Sequence, residues 1–169
     1  EIRNCDWSSD VCSSDLLSFQ QRLDAQAVEW LRRASRANPN DFNCHYLLGS
    51  VFSRQGNVDA ALRAWRTALA AQPANRKLLQ VMSVEYRKGN YFEEAARAAE
   101  LALRTGPAEE SLYLLAMQSR QDAGQHESAY ALARQALEKF PGSARVNFEV
   151  GYRLHKLGRL DEAMPYFEI

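Results

Sequence analysis

A chain of 169 residues with 46% apolar and 25% charged side chains has the make-up of a water-facing folded protein, long enough for one array of packed elements. It contains no run of about 18 apolar residues, so no stretch of the sequence reads as a membrane-spanning helix. Basic and acidic residues balance at 21 each, and outside the first sixteen residues Cys44 is the only cysteine, which leaves no partner for an internal disulfide.

In chain order, the first sixteen residues stand apart. They are crowded with Ser and Asp, which compete with helix formation, and they show no apolar stripe. The string resembles the translation of a sequencing-adapter read, so residues 1–16 are expected to be a non-native or disordered segment outside the fold. Without them the chain holds 20 basic against 17 acidic residues. Residues 17–41 then read as a partial repeat with a lone helix near 24–37, marked by Ala27, Leu31, Ala34 and Pro39.

From there the chain repeats. Pro39, Pro73, Pro107 and Pro141 are each 34 residues apart. The first full cycle, 42–75, carries His45, Leu48, Gly49, Phe52, Gly56, Ala61, Trp65 and Ala68. The second, 76–109, carries Leu79, Met82, Ser83, Tyr86, Ala95, Ala99 and Ala102. The third, 110–143, gives Tyr113, Ala116, Met117, Arg120, Gly124, Ala129, Ala133 and Ala136. The last, 144–169, is cut short after Asn147, Val150, Gly151, Leu154, Gly158, Ala163 and Phe167. Spacings of three and four residues place these positions on single helical stripes. The period therefore predicts helix pairs 42–54/58–71, 76–88/92–105, 110–122/126–139 and 144–156/160–169.

Each slot has a physical reason. Gly49, Ser83 and Gly151, with alanines at 61, 95, 129 and 163, are expected to let paired helices approach closely, Gly49 facing Ala61. Phe52, Trp65, Tyr86 and Phe167 fill the gaps, and Trp30 reads as core at the edge of its stripe. Gly56, Gly89, Gly124 and Gly158 are placed in the turns, where a left-handed residue ends the first helix. Asp41, Asn75 and Ser143 are N-cap types, with Glu109 a weaker cap in the same phase. Pro165 falls early in the last helix, where a missing donor is tolerable.

This pattern strongly resembles the tetratricopeptide repeat family over residues 17–169. The resemblance implies an all-α solenoid of antiparallel helix pairs stacked as a right-handed superhelix. Met117 and Arg120 depart from the small and aromatic residues of the family pattern, which puts local packing in the third cycle in question. The abrupt start and stop, with no polar capping helix, are expected of a fragment of a longer protein.

Chemistry-bearing motifs do not emerge: there is no H-E-x-x-H, paired C-x-x-C, Walker loop or nucleophile elbow. The expectation is no catalytic, cofactor or metal site. His45 occupies a packing slot, His126 opens a helix, and only His155 points away from the packing stripe.

In such an array binding is carried by the concave face, lined mainly by the first helix of each pair. Out of phase with the packing slots are Tyr46, Ser50 and Arg54, then Lys77, Gln80, Arg87 and Lys88, then Gln118 and Gln121, then Arg145, Phe148, Tyr152, His155 and Lys156. Six of these are Lys or Arg, interrupted by Asp122, so the face reads as a basic groove with aromatic anchors for an extended acidic segment. Carboxylate-clamping members of the family place Lys and Asn where this chain has Tyr46 and Ser50, so a clamp on a chaperone tail is not supported. The function expected is a protein–protein interaction scaffold without catalysis. The alternative is the targeting or regulatory region of a larger enzyme, such as a glycosyltransferase, sulfotransferase or protease. Single-stranded RNA binding is disfavoured, because the related pentatricopeptide arrays use a period of 35. The compartment favoured is the cytoplasm, although a signal upstream of this sequence would not be visible.

Overall fold

The computed structural model describes residues 10–167, with side chains from Gln21 onward. Among these residues the chain is built from helices: α1 Asp10–Ala37, α2 Phe42–Arg54, α3 Val58–Ala71, α4 Arg76–Lys88, α5 Phe92–Arg104, α6 Glu110–Asp122, α7 His126–Lys139, α8 Ala144–Lys156 and α9 Leu160–Ala163. A short 3-10 turn, Met164–Tyr166, follows. The packing divides into two units, the first ending at Ala71 and the second beginning at Gln72. In the first, α1 and α3 both pack on α2. In the second, each helix packs on the next from α4 to α9, and the first helices α4, α6 and α8 also lie side by side.

Local chemistry sets where the helices begin. The side chains of Asp41, Asn75 and Ser143 accept from the backbone N–H three residues on, at 2.8, 3.0 and 3.2 Å. These bonds satisfy donors that a helix start leaves orphaned. Glu109 makes no such bond; its carboxylate instead receives Arg76 at 3.1 Å and Ser111 at 2.5 Å.

The first helices end on a shared turn, in which the N–H two residues past the cap reaches back five residues. Asn57 donates to Phe52, Tyr91 to Tyr86, Gln125 to Arg120 and Arg159 to Leu154, all at 2.8–3.0 Å. The residue before each donor is left-handed: Gly56, Asn90, Gly124 and Gly158, with φ of 74°, 62°, 73° and 75°. The second turn thus departs from expectation. Gly89 has φ −83°, and Asn90 takes the left-handed place. Asn90 is the residue that keeps the 34-residue phase, and asparagine is among the side chains that tolerate this conformation best.

Inside the pairs the alanines pack as the period requires. Ala61, Ala95 and Ala129 are fully buried, Ala163 nearly so, and Ala68, Ala102 and Ala136 fully buried as well. Gly49 has a different role from the one expected. A Cβ there would lie 2.3 Å from the Trp65 ring, so the glycine makes room for an aromatic side chain of α3. The last pair repeats the device, with Gly151 beneath Phe167 at 2.9 Å from a would-be Cβ. One period away from Trp65 and Phe167 stand Ala99 and Ala133, and there the first helix supplies Ser83 and Met117. Met117 and Ala133 are both fully buried in one cluster with Tyr113, Val146 and Val150. In the first, third and last cycles a large residue on one helix stands in phase with a small one on the other, which helps keep the volume filled, whereas the second cycle places two small residues, Ser83 and Ala99, in these slots. The departure at Met117 is therefore compensated.

Three other expectations change. Helix α1 begins at Asp10, well before residue 24; Ser and Asp are poor in helix interiors but favoured at helix starts. Residues 1–9 of the suspected non-native segment lie outside the described residues. Trp30 is 71% exposed on α1, not core, whereas Trp65 is buried. The last predicted helix stops at Ala163, because Pro165 cannot donate to Asp161 and its ring crowds that carbonyl; the chain tightens there into the 3-10 turn. Residues 168–169 of that prediction also lie outside the described residues.

Candidate interaction face

His45 is a bracing residue: a ring nitrogen lies 2.9 Å from the Pro39 carbonyl. Three periods later Asn147 donates to the Pro141 carbonyl at 3.1 Å, so both tie a first helix to the proline turn before it. His126 and His155 are exposed.

In the first unit, α2 presents Tyr46, Ser50 and Arg54. Tyr46 stacks on Phe42 with ring centres 5.7 Å apart, and its carbonyl accepts both Trp65 at 3.0 Å and Ser50 at 2.9 Å. Arg54 is held by the buried Asp24 of α1, with Nη2 at 2.5 Å and Nε at 3.3 Å from its two oxygens. That carboxylate pushes the Arg54 pKa above its ordinary value.

In the second unit, α4 contributes Lys77, Gln80, Arg87 and Lys88. Arg87 sends Nε and Nη2 to one oxygen of Asp122 on α6, at 3.0 and 2.7 Å. Gln118 donates to the other oxygen at 3.1 Å. Asp122, read from sequence as an interruption of a basic surface, is the carboxylate that anchors it. Lys88 bonds the buried Glu85 at 2.8 Å. On α6, the Oε1 of Gln121 is buried with no hydrogen-bond partner.

On α8 the arrangement differs. Phe148 is 54% exposed and stacks on Tyr152 at 6.4 Å and 10° between planes. The edge of Phe167 closes on Phe148 at 5.8 Å. Lys156 lies over the Tyr152 ring at 5.3 Å and Arg153 at 5.1 Å. Arg153 is itself buried beside Glu149, Nη2 to Oε2 2.9 Å. Burial lowers its pKa, against the opposing pull of Glu149, Tyr152 and Asp122. Arg145 and Lys156 are exposed and, among the described residues, form no ion pair; the same holds for Lys77.

The structure thus brings Arg87, Lys88, Gln118 and the aromatic pair onto neighbouring first helices of one unit, and pairs three of the six expected free cations internally. Asp24, Glu85, Glu149 and Arg153 were not among the residues singled out by sequence. A usable signal was there: the partners in Arg87–Asp122 and Arg54–Asp24 stand about one period apart, as do Arg76 and Glu109.

An open cleft of about 430 Å³ is lined mainly by the second helices, with Glu100 and Leu103 of α5 and Leu132 and Gln135 of α7, and also by Tyr113 and Arg120 of α6. No group of His, Cys, Asp and Glu able to hold a metal occurs among the described residues. None of the described helices is long and apolar enough to cross a membrane.

Consecutive helix pairs with a shared turn and a 34-residue phase define a helical repeat protein. The tetratricopeptide repeat family profile matches residues 46–79 and 114–169, and the chain belongs to that family. Superkiller complex protein 3 of Homo sapiens is 32% identical over 74 residues, which is 43% of this chain and only 5% of that protein's length. Among solved structures, MamA from Desulfovibrio magneticus RS-1 superposes with a TM-score of 0.69 at 17% identity, covering 89% of this chain and 88% of that one. YrrB, described as a TPR protein with an unusual peptide-binding site, gives 0.64 at 22% identity, covering 83% and 73%. At these identities the two structures show a shared fold.

Proposed function

We propose that this chain is the partner-binding region of a protein–protein interaction scaffold, taking an extended segment of another protein along the free faces of the first helices α4, α6 and α8. The observation that carries this reading is on α8. Phe148 and Tyr152 stack in the phase opposite to the buried Val146, Val150 and Leu154, and Phe148 stays more than half exposed. Exposed aromatics beside polar and charged neighbours are the composition of a binding face. The tetratricopeptide family supports the reading, as do the peptide-binding site of YrrB and the membership of the human relative in the superkiller complex. The chain itself is read as non-catalytic, its chemistry being that of recognition.

The test is site-specific photo-crosslinking in cell extract. A crosslinking residue at Gln118, on the first-helix face, should yield discrete protein adducts. The same residue at Gln135, in the second-helix cleft, should not. Adducts from Gln135 alone would place binding on the other side and overturn the reading.

A further inference from the structure

We infer that the decisive contact surface is α8, and that its ligand is an extended segment bearing two acidic side chains about five residues apart with an apolar side chain between them. This rests on the interaction-face reading above and adds the ligand's chemistry and location.

The charges of the second unit point there. Arg87 and Lys88 of α4 are already held by Asp122 and Glu85, so an incoming carboxylate must break an internal pair to reach them. Arg145 and Lys156 have no such competitor among the described residues. They bracket the stacked rings: residues 145, 148, 152 and 156 follow spacings of three and four and form one stripe of the helix. Eleven residues at about 1.5 Å each separate the two cations by roughly 16 Å along the axis. An extended chain advances about 3.3 Å per residue, so two acids about five residues apart reach both ends. The side chain midway falls on Phe148 and Tyr152, where the Phe167 edge and the cations over Tyr152 fix the ring positions.

Single-stranded RNA also seeks aromatic faces and cations. It is the weaker fit, because Glu85, Asp122 and Glu149 lie on the same helices and oppose a polymer charged at every nucleotide.

The experiment uses the full chain and fluorescein-labelled twelve-residue peptides read by anisotropy. One carries two glutamates five residues apart around a leucine; controls set the glutamates side by side or replace them with lysine. A diverse peptide array and a labelled U12 oligonucleotide accompany them. The spaced-acid peptide should bind best and weaken with salt. Its affinity should fall at least tenfold in Arg145→Glu/Lys156→Glu and in Phe148→Ala, and change less than threefold in Lys77→Glu. Equal binding by the double reversal, equal binding of the lysine peptide, or tighter binding of U12 would overturn the inference. Array peptides without acids that still need Phe148 would leave the interaction face standing while this inference fails. An array with no ligand at all removes both.

Discussion

Arg120 donates from Nε to Glu100 of α5 at 2.6 Å and from Nη1 to Gln125 at 2.5 Å. It does so in a slot where the other cycles place Phe52, Tyr86 and Leu154. Gln125 in turn donates to Glu93 at 3.0 Å. In the second cycle the same junction is closed by an aromatic contact, Tyr86 edge-on to Tyr91 at 6.3 Å. The third cycle substitutes a hydrogen-bonded guanidinium for a ring, and the turn keeps its shape. Arg120→Ala leaves the Glu100 carboxylate and the Gln125 amide oxygen without this donor, a loss of about 1.5–3 kcal/mol for charged hydrogen bonds. Urea titration followed by circular dichroism should show that loss, and should show less for Glu93→Gln. An unchanged midpoint for Arg120→Ala would mean the network is solvated surface.

Gly49 and Trp65 test the volume argument. Gly49→Leu drives a side chain into the indole ring and should cost about 1–3 kcal/mol or more. Adding Trp65→Ala should recover part of this, because the cavity left by the ring receives the leucine. Coupling of about 0.5 kcal/mol or more in a double-mutant cycle is the expected result, and strict additivity would separate the two residues.

The turns give a sharper contrast. Gly124 has φ 73° and open space around a would-be Cβ, so Gly124→Ala isolates the backbone cost, about 1 kcal/mol. Asn90→Gly relaxes the same conformation and should hold or raise the melting temperature. A stabilising Gly124→Ala would refute the left-handed assignment.

The phase of the repeat made nearly all of this architecture legible. Helix bounds 42–54, 58–71, 76–88, 110–122, 126–139 and 144–156 coincide with the structure, because caps, turns and packing stripes each restate the same period. What the period cannot disclose is which side chain a slot faces. Gly49 reads as a place where backbones approach, and the sequence does not show that the Trp65 ring lies where its side chain would be. Residue type points to Gly89 in the second turn, whereas the 34-residue phase falls on Asn90, which takes the left-handed place. The residues expected on the interaction face lie outside the buried core, about half of them only partly exposed, and which of its cations pair with acids was not read from the sequence. Pairing Arg87 with Asp122 needs two first helices set side by side; the one-period separation of the two residues signals it, while spacings within a single helix do not.

Asp41 ties one cap to pH. The bond from the Cys44 N–H lowers its pKa below the ordinary value. A group depressed on folding contributes stability above its unfolded pKa, about 3.9, and loses that contribution as pH falls through the folded value. Asp41→Asn keeps a cap without the titration. Thermal melts from pH 6 to pH 3 should therefore fall more for the native chain than for Asp41→Asn, and parallel curves would show that the cap does not titrate with folding.

The central claim is that binding resides on the first-helix face. It is tested most directly by calorimetric titration of a partner recovered through the Gln118 crosslink. Phe148→Ala/Tyr152→Ala should weaken binding by tenfold or more, as central aromatic contacts do, while Gln135→Ala in the second-helix cleft should leave it within about twofold. A partner bound equally by the aromatic double variant and lost from Gln135→Ala would contradict the account.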